Sequence, residues 1–161
     1  MNLHIITTGG TIDKIYFDAK SDYQVGEPVI GELLESMGAR FPYTVESAMR
    51  KDSLELTDED RELIRKSCEN CAEKQVLITH GTDGMVTTGK ALTGIAGKTI
   101  VLTGALQPAA FKSSDAIFNI GCAIGALQTA NPGVYIAMNG QLFSIDNVRK
   151  NLEENRFETL R

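Results

Sequence analysis

Residues 75–83 read Gln-Val-Leu-Ile-Thr-His-Gly-Thr-Asp, QVLITHGTD. The run Gln75–Thr79 has no polar alternation, which marks a strand buried on both faces. It breaks at His80-Gly81-Thr82-Asp83, a glycine turn. Working outward, Met85–Ala96 predicts a helix stopped by Gly97, and Thr99–Thr103 (TIVLT) a second buried strand ending at Gly104. Ser114–Thr129 repeats Ile117, Ile120, Ile124 and Leu127 at helical spacing, and Gly133–Met138 predicts the next strand. Upstream, Thr57-Asp58-Glu59-Asp60 has the form of a capping box with Asp in the usual Glu/Gln place, opening a helix to about Glu73. Tyr43–Met49 and Leu3–Thr7 predict further strands, and Glu27–Gly38 a helix with Pro28 in its first turn. Strands alternating with helices give a doubly wound α/β domain with a mostly parallel sheet.

The 161 residues suffice for one such domain over residues 1–146, with the polar stretch Asn147–Arg161 left as a tail. An apolar fraction of 42% and a charged fraction of 23% are ordinary for a water-soluble chain. A net charge of −5 argues against a nucleic-acid partner, and no apolar run is long enough to span a membrane. Met1-Asn2-Leu3-His4 lacks a basic export leader, so a cytoplasmic location is expected. An odd count of three cysteines fits a reducing compartment. Cys68 and Cys71 form a CxxC, but they continue the stripe of Ile64 and read as small core thiols. With only His4 and His80 beside them, no metal is expected.

Four strand ends carry small and polar residues: TTGGTI at Thr7–Ile12, THGTDGM at Thr79–Met85, TGALQP at Thr103–Pro108 and MNGQ at Met138–Gln141. Ligands of open α/β sheets bind beyond the carboxyl ends of the strands. Two of these turns set a threonine beside a glycine, at Thr11 and Thr82, and Asp83 follows the second. A threonine hydroxyl needs a base to become a nucleophile. His80 reads as a packed or loop histidine; a lysine is another candidate base, and Lys150, just past the last strand, is one that spacing alone does not place. Gly84–Ala91 has the GxxxxGK spacing of a phosphate loop but no closing Ser or Thr, and it reads better as helix.

TTGGTI and THGTDGM together resemble the paired signatures of the bacterial-type L-asparaginase family of threonine amidohydrolases. The likeness runs on through SDYQVG (Ser21–Gly26), KDS (Lys51–Ser53), TGALQP and MNG…NVRKN. It implies the fold of that family's N-terminal domain. By position it implies Thr11 as nucleophile, Tyr23 as the lid tyrosine, Ser53 as holder of the substrate α-carboxylate, and Thr82 as the second threonine. Asp83 would bind the α-amino group, and Lys150 would pair with Thr82. Backbone N–H groups near Thr11 and Thr82, in the turns of Gly10 and Gly81, would stabilise the oxyanion. The implied reaction turns asparagine into aspartate and ammonia through an acyl-threonine, with no cofactor.

The family's members are about twice this length, so a short single-domain form without the C-terminal domain is expected, closed by self-association as a homo-oligomer or by the tail. Gly84 stands where the family has threonine, which implies a looser turn. The alternatives are an amidase acting on glutamine or a modified asparagine, and a degenerate, non-catalytic binding subunit. Joint retention of Thr11, Tyr23, Thr82, Asp83 and Lys150 speaks against the last.

Overall fold

The computed structural model describes residues 1–161. Strands β1 (Leu3–Gly9), β4 (Tyr43–Lys51), β5 (Gln75–Thr79), β6 (Thr99–Thr103), β7 (Gly133–Met138) and β8 (Gln141–Ser144) form a six-stranded sheet in the order β4-β1-β5-β6-β7-β8. Pairings from β4 to β7 are parallel, and β8 alone runs antiparallel on β7. Two smaller hairpins stand apart from it: β2 (Lys14–Phe17) with β3 (Asp22–Val25), and β9 (Arg149–Asn151) with β10 (Arg156–Glu158).

The absence of alternation in the sequence has a direct counterpart in packing. Val76, Leu77 and Ile78 are all fully buried, and successive side chains leave the sheet on opposite sides. Val76, Ile78, Ile100 and Leu102 meet Ile64 and Cys68 of α2 (Asp58–Asn70) and Met85 of α3 (Met85–Ala91). Leu77 and Val101 meet Ile30 and Leu34 of α1 (Ile30–Ser36) and Ile120, Ala123 and Leu127 of α4 (Ala116–Thr129). The sheet is therefore covered on both faces, as a parallel sheet requires.

Helix ends differ from the periodicity reading for local reasons. The capping box of α2 is complete: Thr57 Oγ1 accepts from the Asp60 N–H and the Asp60 carboxylate accepts from the Thr57 N–H, at 3.1 and 3.0 Å. α1 begins after Pro28 rather than including it, because the Val29 N–H is taken by the Asp13 carboxylate at 3.1 Å. α4 begins at Ala116 because Asp115 turns its carboxylate back to the Leu106 and Gln107 N–H groups.

Residues 147–161 depart most from the sequence reading. Their pattern is weak because each strand of the β9–β10 hairpin has three residues, too few to show a period. Phe157 is nevertheless buried in the main core with Val148 and Ile145. Asn139 in the β7–β8 turn accepts the Phe157 N–H at 2.8 Å, so the MNGQ turn anchors this hairpin. Phe157 and Lys150 are directly opposed in register, so both side chains leave the same face of the hairpin, toward the body of the domain.

Candidate active site

The strand order reverses its direction of growth between β1 and β5: the chain moves outward from β1 to β4, then returns past β1 to β5. The crevice beyond the carboxyl ends at such a switch point is where ligands bind. The turns carrying Thr11 and Thr82 follow these two strands. They touch backbone to backbone: Gly10 has φ 88°, and a Cβ there would stand 2.5 Å from the Gly81 nitrogen. No other residue tolerates both demands.

The KDS segment closes the crevice from the β4 side. The Lys51 carbonyl accepts the Gly10 N–H at 3.0 Å, while the Lys51 ammonium pairs with Asp60 at 2.8 Å. Ser53 is buried, and its Oγ accepts the Gly84 N–H at 3.0 Å. The turn is not loosened by Gly84. A Cβ at that position would lie 2.8 Å from the Ser53 carbonyl oxygen, so a threonine would need the KDS segment to withdraw.

Lys150 reaches across from the β9–β10 hairpin. Its ammonium donates to Thr82 Oγ1 at 2.9 Å and to Asp83 Oδ1 at 2.6 Å. The lysine side chain is 11% exposed and that of Asp83 41%, so the pair has one buried and one solvent-facing member. The structure thus joins Thr82, Asp83 and Lys150 directly, and joins Ser53, Gly81 and Gly10 by close packing. Thr11 follows Gly10 and is half-buried. Tyr23 belongs to a different group of contacts: it packs on Tyr16 and Phe111 instead of the Thr82–Lys150 cluster.

Two buried titratable residues brace these turns. His80 is fully buried, with Nδ1 2.7 Å from the Gly81 carbonyl and Nε2 2.7 Å from Thr88 Oγ1. A carbonyl only accepts, so Nδ1 carries the proton and Nε2 accepts the Thr88 hydroxyl. Burial pushes the His80 imidazole down to about 4, so it is a neutral clamp on the turn. Asp13 is also buried, and burial pushes its carboxyl up to about 6, against the Val29 N–H and the charge of Arg50. The packed place of His80 agrees with its sequence reading; Asp13 has only its position two residues after Thr11 to mark it.

These shifts have opposite consequences for stability. His80 resists protonation when folded, so its contribution is lost as pH falls from 6.5 toward about 4. Asp13 resists ionisation when folded, so its contribution is present below 3.8 and lost as pH rises toward about 6. The two slopes oppose each other and partly cancel. Asp13→Asn keeps an acceptor for Val29 and removes one slope. The variant is expected to be more stable than the parent at pH 7, by on the order of 2 kcal/mol, and equal to it near pH 4. Its own stability should then fall steeply below pH 6.5 through His80. Denaturant melts across that range check this, and equal stability at pH 7 would contradict it.

Comparison with known proteins identifies the fold and family. The family model described as "Asparaginase, N-terminal" matches residues 2–160. A glutaminase-asparaginase of Acinetobacter glutaminasificans is 29% identical over 94% of this chain and 50% of its own length. One component of the glutamyl-tRNA(Gln) amidotransferase of Methanococcus vannielii is 31% identical over 95% of this chain and 37% of its own. The crystal structure of L-asparaginase I from Vibrio cholerae superposes with a TM-score of 0.83 at 26% identity, covering 98% of this chain and 51% of that one. The chain spans about half the length of such relatives or less. By its fold, and by a family match that runs almost from end to end, the chain belongs to the asparaginase family, over the N-terminal domain of its members.

Proposed function

We propose that this chain is an amidohydrolase that converts L-asparagine to L-aspartate and ammonia. The observation that carries the reading is the Lys150 ammonium held between Thr82 and Asp83, on turns locked against that of Thr11. In this reading Thr11 Oγ attacks the side-chain amide carbon, the proton of its hydroxyl passes to the amide nitrogen, which leaves as ammonia, and an ester remains on Thr11. Water then attacks the ester, releasing aspartate and restoring the hydroxyl. The developing oxyanion is met by backbone N–H groups near Thr11 and Thr82 in the two glycine turns; the Gly10 N–H, held by the Lys51 carbonyl, is not among them. Lys150 exchanges a proton with Thr82, whose hydroxyl it holds. Ser53 binds the substrate carboxylate, Asp83 its ammonium, and Tyr23 closes from the β2–β3 hairpin.

An ammonia-release assay with asparagine and with glutamine tests this. Release from asparagine supports the reading; release from glutamine alone moves it to the alternative amidase, and release from neither leaves an amidase on a modified asparagine or the binding-subunit reading. A homo-oligomer in a cytoplasmic setting completes the proposal, and a monomer by sedimentation would contradict its first part. No helix is long and apolar enough to cross a membrane.

Lys150→Met keeps most of the stem volume and removes both donated bonds. Turnover is expected to fall by about 100-fold or more, the usual scale for losing an acid–base group. Steady-state kinetics check it. A raised KM with unchanged kcat would make Lys150 a binding residue only.

A further inference from the structure

The β2–β3 hairpin leaves the domain immediately after the Thr11 turn and belongs to no larger sheet. Its base is tied by Asp13, whose carbonyl accepts the Gly26 N–H at 2.8 Å. Toward its far end the cross-strand pair Tyr16 and Tyr23 is half exposed, with ring centroids 5.3 Å apart. An isolated hairpin of this size is marginal in water, so it needs outside support to keep one position.

That support comes from the loop after β6. The Phe111 ring meets Tyr23 edge-on, with centroids 5.5 Å apart and planes at 74°. Phe111 is 38% exposed, so burial in the core does not account for its place. Its loop is tied by hydrogen bonds of its own. The Asp115 carboxylate accepts the Leu106 and Gln107 N–H groups at 2.9 and 3.1 Å, and Ser114 Oγ donates to the Gln107 carbonyl at 2.9 Å. The same loop returns to the nucleophile's turn, where the Ala109 N–H donates to the Ile12 carbonyl at 3.1 Å. The path from Thr11 through the hairpin to Tyr23, across to Phe111, and back through Ala109 to Ile12 is therefore a closed ring of contacts.

We propose that Phe111 is a positioning residue: it clasps Tyr23 and fixes that ring relative to the Thr11 turn. The kinetic consequence rests on the amidase reading; the clasp itself does not. An edge-to-face aromatic pair contributes about 0.5–1.5 kcal/mol, so Phe111→Ala should open the hairpin roughly fivefold more often. Hydrogen exchange of residues 14–25 reads this opening in the full chain without substrate. Phe118→Ala, which removes another exposed phenylalanine away from the clasp, serves as control and should leave that exchange unchanged. With asparagine, Phe111→Ala should lower kcat, by at most about fivefold, while changing KM less, and Phe111→Tyr should restore both readouts.

Unchanged hairpin exchange in Phe111→Ala overturns the clasp, as does an equal rise in Phe118→Ala. Faster exchange with unchanged kcat overturns the positioning role. If the parent protein releases no ammonia from any amide, the amidase reading fails by itself, and exchange still decides the clasp.

Discussion

Replacing Thr11 by alanine should lower asparagine hydrolysis by several orders of magnitude while the melting temperature stays near that of the parent protein. The reason is chemical. If Thr11 forms the ester, no neighbouring group inherits its place: Thr82 is tied to Lys150, and Ser53 Oγ is committed to the Gly84 N–H. Removing a group that acts only in the chemical step lowers kcat and kcat/KM together. Stability is spared because Thr11 is only half-buried and the backbone of its turn is held by other contacts. Gly10 donates to Lys51, and Ile12 accepts from Ala109. Activity and thermal melts of the same preparation check both halves. Turnover above about a tenth of the parent's would remove Thr11 from the nucleophile's role.

Phe157→Ala is expected to be the most destabilising single change and to lower turnover as well. Truncating a buried phenylalanine costs about 3–5 kcal/mol, from lost transfer energy and the cavity left behind. Phe157 is 1% exposed, in contact with a core that includes Ile145 and Val148. It also stands opposite Lys150, so the anchor that seats the hairpin is the one that delivers the ammonium to Thr82. The other ties are weaker. Arg149 and Arg156 pair with Glu158 at the surface, which draws the Glu158 carboxyl below its usual range, but exposed pairs contribute little. Denaturation by urea gives the first effect. Kinetics below the transition give the second, and normal turnover in a destabilised variant would separate Lys150's placement from Phe157.

The strands at the centre of the sheet are readable from sequence because full burial leaves no room for polar residues. Gln75–Thr79, Thr99–Thr103 and Gly133–Met138 have the bounds their apolar runs predict. Helix ends are less readable, since tertiary partners set them: Asp13 captures Val29, and Asp115 braces the loop before it. The bulk of the Cys68–Cys71 reading follows from the stripe of Ile64. Cys68 is fully buried, and burial pushes its thiol up to about 12, which suits a packed, unreactive group.

The candidate site divides in the same way. The glycine turns announce themselves because backbone contact at Gly10 and Gly81 admits no side chain. Lys150 does not, because it lies 67 positions from Asp83 and arrives on a hairpin too short to have a period. Phe157 gives a faint signal, one apolar residue between Arg156 and Glu158. The clasp gives none, since Tyr23 and Phe111 are remote in sequence and meet only through the fold.

The central claim is that a covalent ester forms on Thr11, and rapid-quench mass spectrometry with asparagine tests it most directly. The parent protein is mixed with substrate, quenched in acid within the first turnover, digested and mapped. An aspartyl adduct on the peptide that contains Thr11, absent from the Thr11→Ala protein, is the predicted result. An adduct on the Thr82 peptide instead, or ammonia release that persists in Thr11→Ala, would contradict the account.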